Sequence, residues 1–122
     1  MYDVDVEILR RLSEIGYMAS FKGFPQEGEE IMEGVYAMKP DQVPVQIGLA
    51  VAKISSAKYA DAIRILSEIV TTREPDNLTA KCFLGLALKE FGKVNEAGEI
   101  LRDVSTRGDV NQKAVASVYL QD

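Results

Sequence analysis

The sequence lacks several residues on which common protein chemistries depend. Histidine is absent, so the usual proton shuttle of catalysis and the commonest metal ligand at neutral pH are both missing. Cysteine occurs once, as Cys82, which excludes an internal disulfide and agrees with a reducing compartment. No histidine is present to activate Cys82 as a nucleophile. We therefore expect no enzyme activity, no cofactor and no metal site.

Basic charge and long apolar runs are also scarce. Fourteen basic residues stand against nineteen acidic ones, and the net charge of −5 would repel a nucleic acid backbone. No apolar run approaches the ~20 residues that a membrane span requires. The first twelve residues are acidic and amphipathic, unlike a secretory signal. These absences predict a cytoplasmic protein that neither binds nucleic acid nor inserts into a membrane.

The sequence contains enough apolar residues to form one core. Of its 122 residues, 47% are hydrophobic and 27% are charged, as in a globular protein of one domain spanning residues 1–122. Glu27, Glu29 and Glu30 form an acidic cluster. Favourable placement near the positive end of a helix explains this cluster better than a metal site does.

Small residues recur at a regular spacing. Gly28 and Ala62 are 34 residues apart, and Ala62 and Ala97 are 35 apart. A large apolar residue follows each of them by four positions, which a helix places on the same face. These large residues are Met32, Leu66 and Leu101. In the third copy, Gly85 and Ala97 predict close approach of two helices, with Leu84, Leu88 and Leu101 filling the space around the contact.

Residues that break helices recur in the same phase. Gly23 and Gly92 stand five residues before the small position, and Ala57 takes that place in the middle copy, which predicts a tight turn there. Pro40 follows Gly28 by twelve residues and Pro75 follows Ala62 by thirteen. The middle copy therefore contains a one-residue insertion before Pro75.

This pattern resembles the tetratricopeptide repeat, a helix-turn-helix unit of 34 residues. The resemblance implies an all-α fold of three such repeats, at about 9–42, 43–77 and 78–111, forming a short right-handed solenoid with a C-terminal capping helix at about 111–121. Gln46, Lys53 and Lys81 depart from the pattern, because large apolar or aromatic residues are usual at those places. The matching residues are Leu12, Ile15, Gly16, Gly23, Gly28, Met32 and Pro40, then Leu49, Ala50, Tyr59, Ala62, Leu66 and Pro75, then Leu84, Gly85, Leu88, Gly92, Glu96, Ala97 and Leu101.

The periodicity predicts helices at about 4–21, 25–38, 43–56, 59–72, 77–91 and 94–106, and a short one within 111–122. In the short helix, an apolar stripe is the side that we expect to cap the last repeat, although it is also suited to docking a partner. The stripe consists of Ala114, Val115, Val118 and Tyr119.

In the tetratricopeptide family, set positions of each first helix face a concave groove. The resemblance places an apolar strip there, with a basic residue near each end. The strip residues are Tyr17, Phe21, Ile47, Val51, Ile54, Cys82 and Leu86, and the rim residues are Arg10 and Lys89. An apolar strip of this size indicates an apolar or amphipathic helix as its ligand, and the alternative occupants are the chain's own terminal helix or a second copy.

A chain of this size, charge and repeat number also resembles the small tetratricopeptide chaperones of type III secretion, the class that holds needle subunits. That resemblance implies a non-catalytic chaperone that masks an amphipathic helix of its client and prevents premature assembly. It also implies a small helical co-chaperone in some complexes and a homodimer in the unliganded state. The alternative function is a structural adaptor or self-associating scaffold that uses the ends or the convex face of the repeats.

Overall fold

A computed structural model of the chain describes residues 23–120, and these residues form helices joined by turns, without a strand. The predicted all-α class is confirmed for this part of the chain. The predicted helix at 4–21 lies outside the described residues. The helices are α1 (Pro25–Met38), α2 (Val43–Ser55), α3 (Tyr59–Glu68), α4 (Leu78–Glu90), α5 (Val94–Arg107) and α6 (Val110–Leu120).

The chain divides into two compact units, residues 1–58 and residues 59–122. The described part of the first unit contains α1 and α2, and that of the second contains α3 to α6. The boundary between the units falls inside the predicted second repeat, at the turn after α2.

In the first unit, α1 packs against α2. Each helix has a proline in its first turn, where the missing N–H group leaves no helical hydrogen bond unmade. Met32 and Val35 are the large buried side chains of α1. Helix α2 is buried at eight of the ten positions from Val43 to Ala52. Burying each large apolar side chain stabilises the unit by roughly 1.5–3 kcal/mol relative to leaving it exposed.

The core of the second unit is built around the contact of α4 with α5. A Cβ atom added at Gly85 would lie 2.5 and 2.6 Å from the Cδ2 and Cγ atoms of Leu101. Ala97, Leu101 and Leu84 are at most 3% exposed, so this contact lies in the interior. The predicted close approach of the two helices at Gly85 is therefore confirmed. Helix α3 packs on the same helix α4 and buries Ala62 and Leu66.

Two turns of the chain share one hydrogen-bond pattern. After α2, the Ala57 N–H donates to the Ile54 carbonyl at 2.9 Å and the Lys58 N–H donates to the Lys53 carbonyl at 2.8 Å. After α4, the Gly92 N–H donates to the Lys89 carbonyl at 3.0 Å and the Lys93 N–H donates to the Leu88 carbonyl at 2.8 Å. This pair of bonds is the Schellman motif, which requires a left-handed residue after the helix.

The left-handed residues of these turns occupy the same position in each copy of the sequence pattern. The backbone angle φ is +60° at Ala57 and +95° at Gly92, and Gly23 has a φ of +93° at the corresponding place before α1. Ala57 is the one non-glycine residue of positive φ among residues 23–120. The predicted tight turns at these positions are confirmed.

The one-residue insertion before Pro75 is accommodated in a π-helical segment, Ile69–Arg73, which continues α3. The Glu74 N–H closes this wide turn by donating to the Ile69 carbonyl at 2.7 Å. The Thr71 and Thr72 hydroxyls donate to the carbonyls of Ser67 and Glu68, at 2.7 and 2.6 Å. A π-turn contains one residue more than an α-turn, so it takes up a single extra residue within the helix.

Helices α4 and α6 begin with the same kind of cap. The Asn77 side chain accepts from the Ala80 N–H at 2.9 Å, and the Asp109 side chain accepts from the Gln112 N–H at 2.8 Å. The Gln112 side chain also accepts from the Asp109 N–H at 3.0 Å, which completes a reciprocal capping box. Both caps satisfy backbone donors that a helix start leaves without partners.

Helix α6 packs against α5 and α4, but not through the stripe that the sequence suggested. Its fully buried residue is Ala116, whereas Ala114 is exposed and Val115 and Val118 are 38% and 64% exposed. Tyr119 is half-buried. The expectation that the stripe covers the last repeat was therefore wrong for three of its four members, because α6 is turned to place Ala116 inward.

Candidate binding surface

The predicted strip and its two rim residues fall in three parts of the chain. Arg10, Tyr17 and Phe21 lie outside the described residues. The remaining members divide between the two units and form a set on α2 and a set on α4. The first set is Ile47, Val51 and Ile54, and the second set is Cys82, Leu86 and Lys89.

On α2, the spacing of i, i+4 and i+7 places Ile47, Val51 and Ile54 on one side of the helix. Ile47 and Val51 are only 6% and 2% exposed, whereas Ile54 is half-buried. The accessible part of the predicted strip on α2 is therefore Ile54. Substitutions at Ile47 or Val51 would disturb packing as well as any ligand contact.

On α4, the same spacing brings Cys82, Leu86 and Lys89 to one side. Cys82 is 6% exposed, and Leu86 and Lys89 are half-buried. Lys89 donates through Nζ to the backbone carbonyl of Tyr119, in the last turn of α6. A lysine at this place is favourable, because the last carbonyls of a helix carry partial negative charge and lack helical donors. The predicted rim residue thus holds the end of α6.

A second contact joins α6 to the beginning of α4. The Gln112 side-chain amide donates to the Thr79 hydroxyl at 3.2 Å. Together with the Lys89 contact, it fixes both ends of α6 beside α4. Because the first residues of α6 meet the first residues of α4, and the last meet the last, the two helices run in the same direction.

The thiol of Cys82 lies at this junction. Burial raises the pKa of the Cys82 thiol, and the negative charge of Asp109 raises it further. A raised pKa keeps the group in the neutral thiol form at neutral pH. Since the thiolate is the nucleophile, the site lowers the reactivity of Cys82. Its burial instead makes Cys82 a small packing residue of the second unit.

Polar side chains account for the three departures from the repeat pattern. Gln46 donates to the Pro40 carbonyl at 2.7 Å. The Lys53 Nζ atom lies 3.3 Å from the Glu29 Oε2 atom and 2.8 Å from the Glu33 Oε1 atom. Lys81 Nζ lies 2.7 Å from the Asp103 Oδ2 atom. Each polar residue thus joins its helix to a neighbouring segment, at a place where the family pattern would use apolar packing.

The Glu29 carboxylate also lies 2.7 Å from the Lys58 Nζ atom. Burial raises the pKa of Glu29, but hydrogen bonds from Lys58 and Lys53 outweigh burial, and the pKa is lowered. The cluster Glu27, Glu29 and Glu30 was predicted to stand near a helix start, and all three residues lie in the first two turns of α1. Glu29 is the buried member of this cluster, and its contact with Lys53 joins α1 to α2.

A second ionic cluster lies in the second unit. Arg107 donates to both carboxylate oxygens of Asp103, at 2.7 and 2.6 Å, and through a third nitrogen to Asp76 at 3.0 Å. Hydrogen bonds from Arg107 and then from Lys81 hold the pKa of Asp103 well below its usual range. This cluster joins the end of α5 to α4 and to the turn before α4.

Sequence reasoning missed the exposed side of α6. Val110 and Val118 are 83% and 64% exposed, and Ala114 lies between them on the same side of the helix. The apolar spacing was visible in the sequence, but it did not reveal which side of so short a helix faces outward. Helix α6 is nearly uncharged as well, since Lys113 is its only charged residue.

Residues 23–120 provide no group of three or more acidic or cysteine side chains placed to hold a metal ion. None of the helices in this range combines the length and apolar character of a membrane span. Neither the models of protein families nor the curated proteins include a match to this chain.

Proposed function

We propose that the chain is a non-catalytic, protein-binding module of the tetratricopeptide type. The observation that carries the proposal is the recurrence of one left-handed turn at Ala57 and Gly92, 35 residues apart. The contact of Gly85 with Leu101 supports it, because a small residue facing a large one is the packing that the repeat pattern implies. Under this proposal, the helices form three repeats and a terminal helix in a short right-handed solenoid.

The ligand that we propose is an amphipathic helix of a client protein. Ile54 and Leu86 are the accessible apolar members of the predicted strip among the described residues. A helix meets such a strip with apolar residues at i, i+3, i+4 and i+7. By resemblance to the small chaperones of type III secretion, the proposed module acts in the cytoplasm and prevents premature assembly of this helix.

The test starts from a tagged copy expressed in its native host. Proteins that elute with it in a defined ratio are identified, and the bound segment is mapped by proteolysis. Binding of that segment is then compared for Ile54→Glu, Leu86→Glu and the matched control Ile100→Glu. Ile100 is also half-buried, but it lies on α5 outside the strip.

We expect each strip variant to weaken binding by roughly a hundredfold, because a buried, unpaired carboxylate at the contact is costly. The control variant should bind like the original chain, and circular dichroism should show the same helix content in all four proteins. Equal binding by both strip variants and the original chain would refute the proposed ligand site.

A further inference from the structure

A polar cavity lies in the first unit, between the start of α1 and the turn after α2. Its volume of about 420 Å³ falls within the ~300–1,000 Å³ of small-ligand pockets. Four of its lining residues are spaced at i, i+3, i+4 and i+7, which a helix places on one side. We call it the acidic cavity, and it is lined by Gln26, Glu29, Glu30 and Glu33 of α1, together with Pro25, Ser56 and Lys58. Because nearly all of these residues are polar, the acidic cavity suits a polar ligand.

Glu29 lines the acidic cavity with a carboxylate that is only partly satisfied. The residue is 8% exposed, and its Oε2 atom accepts from Lys53 and Lys58 at 3.3 and 2.7 Å. In the described part of the chain, no donor serves the buried Oε1 atom. The Ser56 hydroxyl, which also lines the cavity, donates to the Pro25 carbonyl at 3.3 Å. A buried carboxylate oxygen without a donor is costly, so a ligand that supplies one would be stabilised here.

The charges around the acidic cavity favour a cation. Three carboxylates line it against the single ammonium group of Lys58, and Lys53 adds a second ammonium group beside Glu29. The sum is negative, as is the net charge of −5 on the whole chain. A metal ion does not fit, because no three acidic side chains within residues 23–120 are placed to hold one. The favoured ligand is therefore an organic cation whose donors can reach separate carboxylates.

We infer that the acidic cavity binds a guanidinium group, carried by a small molecule or by an arginine residue of a partner. A guanidinium is planar and has several N–H donors, so one can serve Glu29 while others face the exposed carboxylates of Glu30 and Glu33. An ammonium group is more strongly hydrated and loses more on entering a cavity. The acidic cavity does not include Ile54 or Leu86, so the inference does not depend on the proposed client site.

The probe is N-acetyl-arginine N-methylamide, added to the labelled full-length chain while its amide shifts are followed. We expect saturable shifts centred on residues 25–33 and 56–58. The matched control compound contains citrulline, which has nearly the same shape as arginine but no charge, and it should leave these shifts unchanged. Propylguanidinium separates the two sources of the group. If it binds more weakly than the arginine compound, the source is an arginine residue, and if it binds as tightly, the source is a small molecule.

Lys58→Met should tighten binding of the arginine compound by roughly fivefold. The substitution removes a positive charge from the cavity and takes away the partner of the Glu29 Oε2 atom at 2.7 Å. The matched control is Lys93→Met, because Lys93 has the same place in the turn after α4 and is exposed as well. This control should bind the compound like the original chain. A gain of affinity at Lys58 cannot result from a loss of structure.

Glu30→Gln should weaken binding by roughly threefold, because it removes an exposed carboxylate from the lining of the cavity. Glu99→Gln is the control, since it removes the same charge from an exposed position on α5. It should leave the affinity unchanged, and circular dichroism should show the same helix content in all of these chains.

Equal affinity for the arginine and citrulline compounds would overturn the inference. Shifts that avoid residues 25–33 and 56–58 would also overturn it. So would a Lys58→Met chain that binds the arginine compound no more tightly than the Lys93→Met chain does.

Discussion

The turn after α2 and the turn after α4 have the same hydrogen bonds but different residues at the left-handed position. Glycine adopts the positive φ of the second turn without steric cost, whereas Ala57 brings its Cβ atom close to the following carbonyl oxygen in the first. That crowding costs roughly 1–2 kcal/mol. The comparison shows that the helix ends and their two hydrogen bonds determine this geometry, since they enforce it on a residue that disfavours it.

Glycines within the helices provide a parallel contrast. Gly85 of α4 lies against Leu101, whereas a Cβ atom added at Gly34 of α1 would meet nothing within 4 Å. The same residue type thus serves close packing at Gly85 and meets no neighbouring side chain at Gly34. Four experiments follow in order of decreasing effect, and the first two test these contrasts between the units.

The largest effect is expected from Gly85→Ala. The new Cβ would lie 2.5 Å from the Leu101 side chain, which is fully buried and would have to shift within a packed interior. We expect the free energy of unfolding to fall by ~1–3 kcal/mol in urea titrations. Gly34→Ala is the matched control and should raise it by ~0.5–1 kcal/mol, because alanine is the better helix former. Equal effects at the two positions would contradict the packing role of Gly85.

Exchanging the turn residues tests the first comparison directly. Gly92→Ala should lower the free energy of unfolding by ~1–2 kcal/mol, because alanine disfavours a φ of +95°. Ala57→Gly should raise it by ~0.5–1 kcal/mol, since relief of strain exceeds the added flexibility of the unfolded chain. Ala114→Gly is the control for that added flexibility and should destabilise, because Ala114 is an exposed helical residue. A lower free energy of unfolding in Ala57→Gly would contradict the conclusion that Ala57 is strained.

The third experiment removes Thr71 from the π-helical segment. We expect an ordinary α-helical turn to form in its place, with a change in unfolding free energy within ~1 kcal/mol. The control is removal of Glu99, which is exposed within α5. That deletion rotates one part of α5 by ~100° relative to the other and should disrupt the contact of Leu101 with Gly85. Thermal unfolding that is equally impaired by both deletions would show that the wide turn does not absorb the insertion.

The smallest effect concerns the ionic cluster of Asp103. Because the folded-state pKa of Asp103 lies below its value in the unfolded chain, the cluster stabilises the fold above about pH 4. This contribution is lost as the pH falls towards the folded-state pKa. Asp103→Asn should therefore cost up to ~1 kcal/mol at pH 5, and less at pH 3, in urea titrations. A cost that grows between pH 5 and pH 3 would contradict the assignment.

The described helices follow closely from the sequence, because glycine and proline mark most of their ends. Helix α1 spans 25–38 as predicted, and α2 ends at Ser55, one residue before its predicted end. The insertion before Pro75 was visible as a change of spacing. Its π-helical form was not, since a change of spacing does not reveal whether the extra residue widens a helix or lengthens the loop after it.

The candidate site was less predictable, because it depends on contacts between residues far apart in the sequence. Lys53 pairs with Glu29 over 24 residues, and Lys81 pairs with Asp103 over 22. The spacing of Ile47 and Val51 indicates that they lie on the same side of the helix, but it does not indicate how deeply they are buried. Helix α6 has apolar residues around most of its circumference, so only its packing on α4 and α5 decides which of them face outward.

The burial of Cys82 provides a way to observe motion in the second unit. It is the only thiol of the chain, and it lies where the start of α6 meets α4. Because the Cys82 side chain is buried, a thiol reagent reaches it when the packing around it opens, so the labelling rate measures how often that opening occurs. The reaction of the unmodified protein with such a reagent would thus report on that opening without an introduced probe.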